Sequence, residues 1–205
     1  MRKSIVAVAL SAIAIFTFAT AGFASWPPGA DKMGLYSAAD GSGYCNKDVA
    51  VGPFTMYLVL TNCSMAAGVS GWECRFTFDA PADFYESSVD LYGQDVNVGV
   101  KPDYGVGLGA PLPRAVDGSV VLASFSFLCG APGVENRFYL APSSLTSIPG
   151  SMVFAEGGVP GHLLPAAPAN GDHANPAFHL NLGPLVPTPV DTESDTWGGV
   201  KNLYR

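Results

Sequence analysis

Between Phe54 and Asp79 the chain reads FTMYLVLTNCSMAAGVSGWECRFTFD, two runs of alternating apolar and polar residues joined by a link of small residues. In the first run Phe54, Met56, Leu58 and Leu60 share one side, and Thr55, Tyr57, Val59 and Thr61 the other. In the second, Trp72, Cys74, Phe76 and Phe78 oppose Glu73, Arg75, Thr77 and Asp79. Successive side chains of a strand point to opposite faces, so a period of two predicts one buried face and one wet face. The pattern recurs over 119–129, where Val121, Ala123, Phe125 and Phe127 alternate with Leu122, Ser124 and Ser126. Shorter strands are predicted over 33–37, 96–100, 104–108, 137–140, 151–155 and 177–182. Phe84, Val89 and Leu91 are expected to pack inward from a short irregular segment. Turn formers separate these runs, at Asp40–Gly43, Asp79–Pro81 and Asp117–Gly118. Short strands at regular spacing, with no helical period, indicate an all-β sandwich rather than βαβ units.

The ends of the chain do not share this texture. Arg2 and Lys3 precede an apolar run, Ile5–Phe18, and small residues offer cleavage after Ala21 or Ala24. That is the form of a secretory signal peptide, too short for a membrane span. No cysteine stands at the cleavage point, and no later stretch is apolar enough to cross a bilayer. The expected organisation is a signal peptide over 1–24, a β-sandwich domain over 25–185, and a linker and C-terminal tail over 186–205. From Pro160 onward seven of the 17 prolines occur, and 186–195 reads as a polar, proline-spaced, extended linker. The chain closes on TWGGVKNLYR.

Composition narrows the class. Charged residues make up 13% of the 205, against 24 Gly and 17 Pro, which suits a many-stranded extracellular domain better than a helical bundle. Two of the 10 basic residues lie in the signal, leaving 8 against 17 acids in the exported chain, a formal −9. That surface disfavours nucleic acid and anionic membranes as partners. The four cysteines, Cys45, Cys63, Cys74 and Cys129, form an even set in an exported chain and predict two disulfides. Cys74 and Cys129 both share a side with core phenylalanines, so one reading joins them across facing sheets and pairs Cys45 with Cys63. The rival reading pairs Cys63 with Cys74 and Cys45 with Cys129. No C-x-x-C spacing supports zinc.

The order of parts from Phe54 to Phe127 resembles the cohesin-like domains of the carbohydrate-binding and scaffoldin superfamily. The shared features are an alternating strand, a link of small residues, a G-x-x-x-R-F-x-F-D-type strand at Gly71–Asp79, a following Pro81, and a later strand ending in Phe125 and Phe127. The resemblance implies a single antiparallel jelly-roll-like sandwich of about nine strands. It covers roughly the middle half of the exported chain, and no dockerin-like repeat accompanies it. The C-terminus is similar to a T-W-G-x-V-K-x-L-Y-R signature of exported bacterial proteins.

Catalytic chemistry finds little support. There is no G-x-S-x-G, so a serine hydrolase lacks its nucleophile elbow. His162, His173 and His179 read as surface histidines rather than metal ligands, and no cofactor is implied. Asp83, Glu86, Asp90 and Asp95 read as a solvated acidic stretch; a secreted hydrolase with a carboxylate pair is the enzymatic alternative. Binding is the better candidate. Tyr57, Tyr85, Tyr92 and Tyr104 lie beside Asp, Asn and Gln, the setting in which a ring stacks on a sugar; the plainer reading has them close the core edges. Trp197, Val200, Leu203 and Tyr204 make the tail a candidate strand for a neighbour's open sheet edge. The expectation is a non-enzymatic protein of extracellular binding, adhesion or surface assembly. It would act outside the cell, at its surface or in the periplasm, on a polysaccharide, a protein or further copies of itself.

Overall fold

The two alternating runs lie in facing layers. The structure, a computed structural model, describes residues 29–41 and 46–182. In chain order the strands are β1 (Lys32–Tyr36), β2 (Asn46–Lys47), β3 (Gly52–Thr61), β4 (Val69–Phe78), β5 (Phe84–Leu91), β6 (Gln94–Asn97), β7 (Asp103–Leu112), β8 (Val120–Cys129), β9 (Asn136–Ala141), β10 (Met152–Glu156), β11 (Leu163–Pro168) and β12 (Phe178–Leu180). One layer, sheet A, runs β1-β3-β8-β5; the other, sheet B, is built around β4. On one side β4 pairs with β7, which pairs with β6. On its other side it pairs first with β10, along Val69–Glu73, and then with β9, along Arg75–Phe78. Beyond β9 lie β12 and β2. No helix occurs among the described residues. The fold is all-β, with twelve strands among the described residues where about nine were expected; several of the additional ones are short edge pieces.

β11 joins the layers. It pairs antiparallel with β10 of sheet B along 163–166 and parallel with β1 of sheet A at 167–168. That side of the sandwich is therefore closed. The opposite side is open between the edge strands β5 and β6. There Lys101, in the turn between β6 and β7, forms an ion pair with Glu86 of β5.

The core follows the alternation. Trp72 and Cys74 are buried with Phe76, and across from them Phe125 and Phe127 are completely covered. Phe76 stacks on Phe125 with ring centroids 4.2 Å apart, and Phe78 meets Phe127 edge-on at 5.3 Å. Phe54, Phe84 and Phe138 extend the cluster around Phe127, at 5.4, 5.1 and 5.3 Å. Burying side chains of this size contributes about 2–3 kcal/mol each.

Three expectations need correction. In β8, Val120 and Leu122 face the core and Val121 is only half-buried, because the pairing with β3 shifts between Leu58 and Val59. Leu122 is the extra residue of a β-bulge, which reverses the side of everything before it. The segment after Asp79 is not irregular: Phe84–Leu91 is an edge strand paired with β8. The cysteines also depart from the predicted framework. Cys63, Cys74 and Cys129 are buried free thiols, and Cys45 lies outside the described residues. The ring pairs Phe76–Phe125 and Phe78–Phe127 fix the alignment of β4 with β8. Cys129 then faces the position two residues past Phe78, six residues from Cys74. At about 3.3 Å per residue that is about 20 Å, beyond the reach of a disulfide. Sharing a face is not sharing a position along it.

Candidate functional site

On the outer face of sheet B a groove of about 270 Å³ crosses several strands. Its floor is backbone. Gly71 of β4 and Gly105 and Gly107 of β7 present no side chain there. Val96 and Val98 form one wall, and Val153, Ala155 and Leu163 of β10 and β11 the other. The glycines are required by how closely the walls approach. A Cβ on Gly107 would stand 2.8 Å from Val96 Cγ1, one on Gly105 3.1 Å from Val98 Cγ2, and one on Gly71 2.9 Å from the Val106 carbonyl oxygen. Val98 is 70% exposed, Val96 49% and Leu163 38%, so the walls present apolar surface to water.

One rim is tied down by carboxylates. β9 and β10 would make one continuous partner for β4 but for residues 142–151, which loop out between them. Asp103, the first residue of β7, accepts the Ser144 N–H and hydroxyl, each at 2.8 Å, and faces Arg75 at 3.3 Å. Glu73 accepts the Ser147 N–H and hydroxyl, each at 2.6 Å. The same motif is thus used twice on one loop. The Ser144 backbone N–H, with the Ser144 and Ser143 hydroxyls and Arg75, holds the Asp103 carboxyl below its usual range. Glu73 lines the groove, so this loop borders it.

The tyrosines predicted to meet sugar separate. Tyr57 is half-buried on the outer face of sheet A, in a cross-strand row with Ser124 and Asp90. Tyr85 is 56% exposed and pairs with Leu128. Tyr92 is half-buried just after β5, its N–H donating to the Leu122 carbonyl. Tyr104 is no surface residue. It is 3% exposed, with its ring 6.0 Å from Trp72 and edge-on to Phe125 at 6.0 Å. On β7 the outer face belongs to Asp103, Gly105 and Gly107, which turns Tyr104 inward, and burial pushes its hydroxyl pKa up. The tail candidates Trp197, Val200, Leu203 and Tyr204 lie outside the described residues.

Among the described residues the remaining ionisable groups are scattered in local pairs. Glu86 pairs with Lys101, His162 Nδ1 lies 2.5 Å from Glu156, and His173 Nδ1 lies 3.3 Å from the Leu140 carbonyl. Among the described residues no three His, Cys, Asp or Glu side chains gather as a metal-ligating group. Sequence reasoning missed the groove; its signal was the Gly alternation in Tyr104-Gly105-Val106-Gly107-Leu108-Gly109, which strips one face of a strand.

Cohesin domains are among the solved structures that this fold resembles. The seventh ScaB type I cohesin from Pseudobacteroides cellulosolvens aligns with a TM-score of 0.45 at 10% identity, over 78% of this chain and 96% of that one. A non-cellulosomal cohesin from the hyperthermophilic archaeon Archaeoglobus fulgidus aligns with a TM-score of 0.35 at 8% identity, over 74% of this chain and 91% of that one. No protein-family model matches the sequence, and no curated protein matches it either. The likeness is one of fold, a cohesin-like β-sandwich.

Proposed function

We propose that this chain is an exported, non-enzymatic binding module whose groove on sheet B receives an apolar element of a protein partner. Its organisation on this reading is a signal peptide over 1–24, the sandwich over 25–185 and a tail over 186–205. The observation that carries it is the glycine floor with exposed valine and leucine walls. A sheet face that serves only solubility has no reason to strip its side chains and leave apolar walls in water. Placing a photo-crosslinking amino acid at Val98 or Leu163, in the producing cell, tests it. Adducts of discrete mass are expected at both positions and not at Val116, an exposed valine in the β7–β8 connection. Adducts at none of the three, or equally at all, would refute it.

A second reading has its own support. The outer face of sheet A carries hydroxyl-bearing rows, Thr55–Ser126–Ser88 and Tyr57–Ser124–Asp90, with Tyr85 exposed at the β5 edge. Such a face suits a polysaccharide. It requires retention on an insoluble glycan that the Tyr57→Ala, Tyr85→Ala double variant loses.

A further inference from the structure

We infer that the occupant of the groove is the C-terminal decapeptide, Thr196–Arg205, of a second copy of this chain, so that copies join head to tail. The inference rests on the groove being a docking surface and names what docks. The groove sets three conditions. Its backbone floor between apolar walls suits a large flat side chain. The approach of floor and occupant demands a backbone with small residues beside that anchor. Its surroundings are acidic, with Glu73 in the lining and Asp95 exposed beside Val96, so the occupant should bring cationic side chains and no acidic ones. The decapeptide TWGGVKNLYR meets each condition. Trp197 is followed by Gly198 and Gly199, Val200, Leu203 and Tyr204 supply apolar area, and Lys201 and Arg205 are its only charged side chains. Counting side chains, it carries +2, while the rest of the chain, from a total of −7, carries −9.

The position of the chain's exit favours a neighbour over the same molecule. The described chain ends at Leu182, just past β12, where Leu180 pairs with Asn136 of β9. Phe138 of β9 pairs with Phe78, so the exit lies beyond the Phe78 end of β4. The groove sits at Gly71–Glu73, roughly 20 Å back along that strand. Residues 183–195 separate Leu182 from the decapeptide and include Pro184, Pro187 and Pro189. β12 is antiparallel to β9, which is antiparallel to β4, so the described chain runs toward the Phe78 end of β4 and leaves Leu182 heading away from its own groove. A contact between two different surfaces that does not close on itself propagates as an open chain.

The test is a complementation measured by analytical ultracentrifugation. One variant is full-length Val98→Glu, with a charged groove and an intact tail. The other ends at Asp195, with an intact groove and no tail. The parent chain is expected to give a concentration-dependent series of oligomers and each variant alone a monomer with unchanged circular dichroism. Mixed, the two should form a 1:1 dimer and nothing larger. Trp197→Ala in the full chain should weaken association roughly 30-fold, as for a buried aromatic anchor. A mixture that stays monomeric, or a parent that is monomeric at every concentration, overturns the inference. Photo-adducts at Val98 that carry a different protein, together with a monomeric mixture, would leave the groove reading standing and remove only this one. No adduct at all would remove the groove reading.

Discussion

Asp103 offers the sharpest quantitative test, because its carboxylate holds the first half of the loop over 142–151. Replacing it with Ala removes the acceptor of two 2.8 Å hydrogen bonds from Ser144 and the partner of Arg75. Hydrogen bonds to a charged acceptor contribute about 1.5–3 kcal/mol each. Ser144 is exposed, so water replaces part of what its groups lose, and the Arg75 side chain is 43% exposed, so its share is at most about 1 kcal/mol. The expected cost of Asp103→Ala is therefore about 2 kcal/mol near neutral pH. With a urea slope near 2 kcal/mol per molar, the midpoint should fall by about 1 M. The pH dependence gives the sign. The folded-state pKa lies below the unfolded one, so the stabilisation is present above the unfolded carboxylate value, about 3.9, and is lost as pH falls through the folded value. The gap between parent and variant should be full at pH 7 and close progressively below pH 4. Asp103→Asn, which keeps one acceptor, should fall between them. A gap under about 0.5 kcal/mol at pH 7, or one that stays constant into acid, would refute the assignment.

Other outcomes follow from the same contacts. Phe127→Ala, in a fully buried ring that meets Phe54, Phe78, Phe84 and Phe138, should cost about 3–5 kcal/mol by urea unfolding; a loss below 1.5 would mean the aromatic cluster is not the centre of the core. Gly107→Ala should destabilise by about 1 kcal/mol through its clash with Val96, and Val96→Ala should relieve it, so strictly additive effects in the double-mutant cycle would dismiss the contact. Thiol labelling of the folded chain should leave Cys63, Cys74 and Cys129 unmodified until denaturant is added; a non-reducing peptide map with a bridge between any two of them would contradict the structure.

The strands legible in advance were those with one wholly apolar and one wholly polar side. β4 is the clearest, and its inward set of Trp72, Cys74, Phe76 and Phe78 packs as the alternation requires. β5 escaped because an edge strand in contact with only one neighbour keeps Glu86, Ser87, Ser88 and Asp90, which blur its period and protect its edge. β11 escaped because Pro165 and Pro168 read as breakers. They are tolerated there because each half of that strand has a ladder on one side only. Tyr104 could be offered as a sugar contact because a strand made of Tyr, Gly, Val and Gly gives no polar side to orient it. The Cys74–Cys129 pairing was misjudged for a related reason: alternation reports which face a residue takes and says nothing of its height along the strand. The groove was hidden because its defining feature is missing side chains.

β11 acts as the spine of a book whose covers are the two sheets. With the spine sewn to both covers, the leaves can part only along the fore-edge, where β5 and β6 face each other and the Glu86–Lys101 pair is the clasp. Breathing of the hydrophobic interior should therefore be lopsided. Amide exchange should run fast along β5 and β6 and slow along β1, β10 and β11, and neutralising the clasp should widen that contrast while leaving global stability within about 1 kcal/mol.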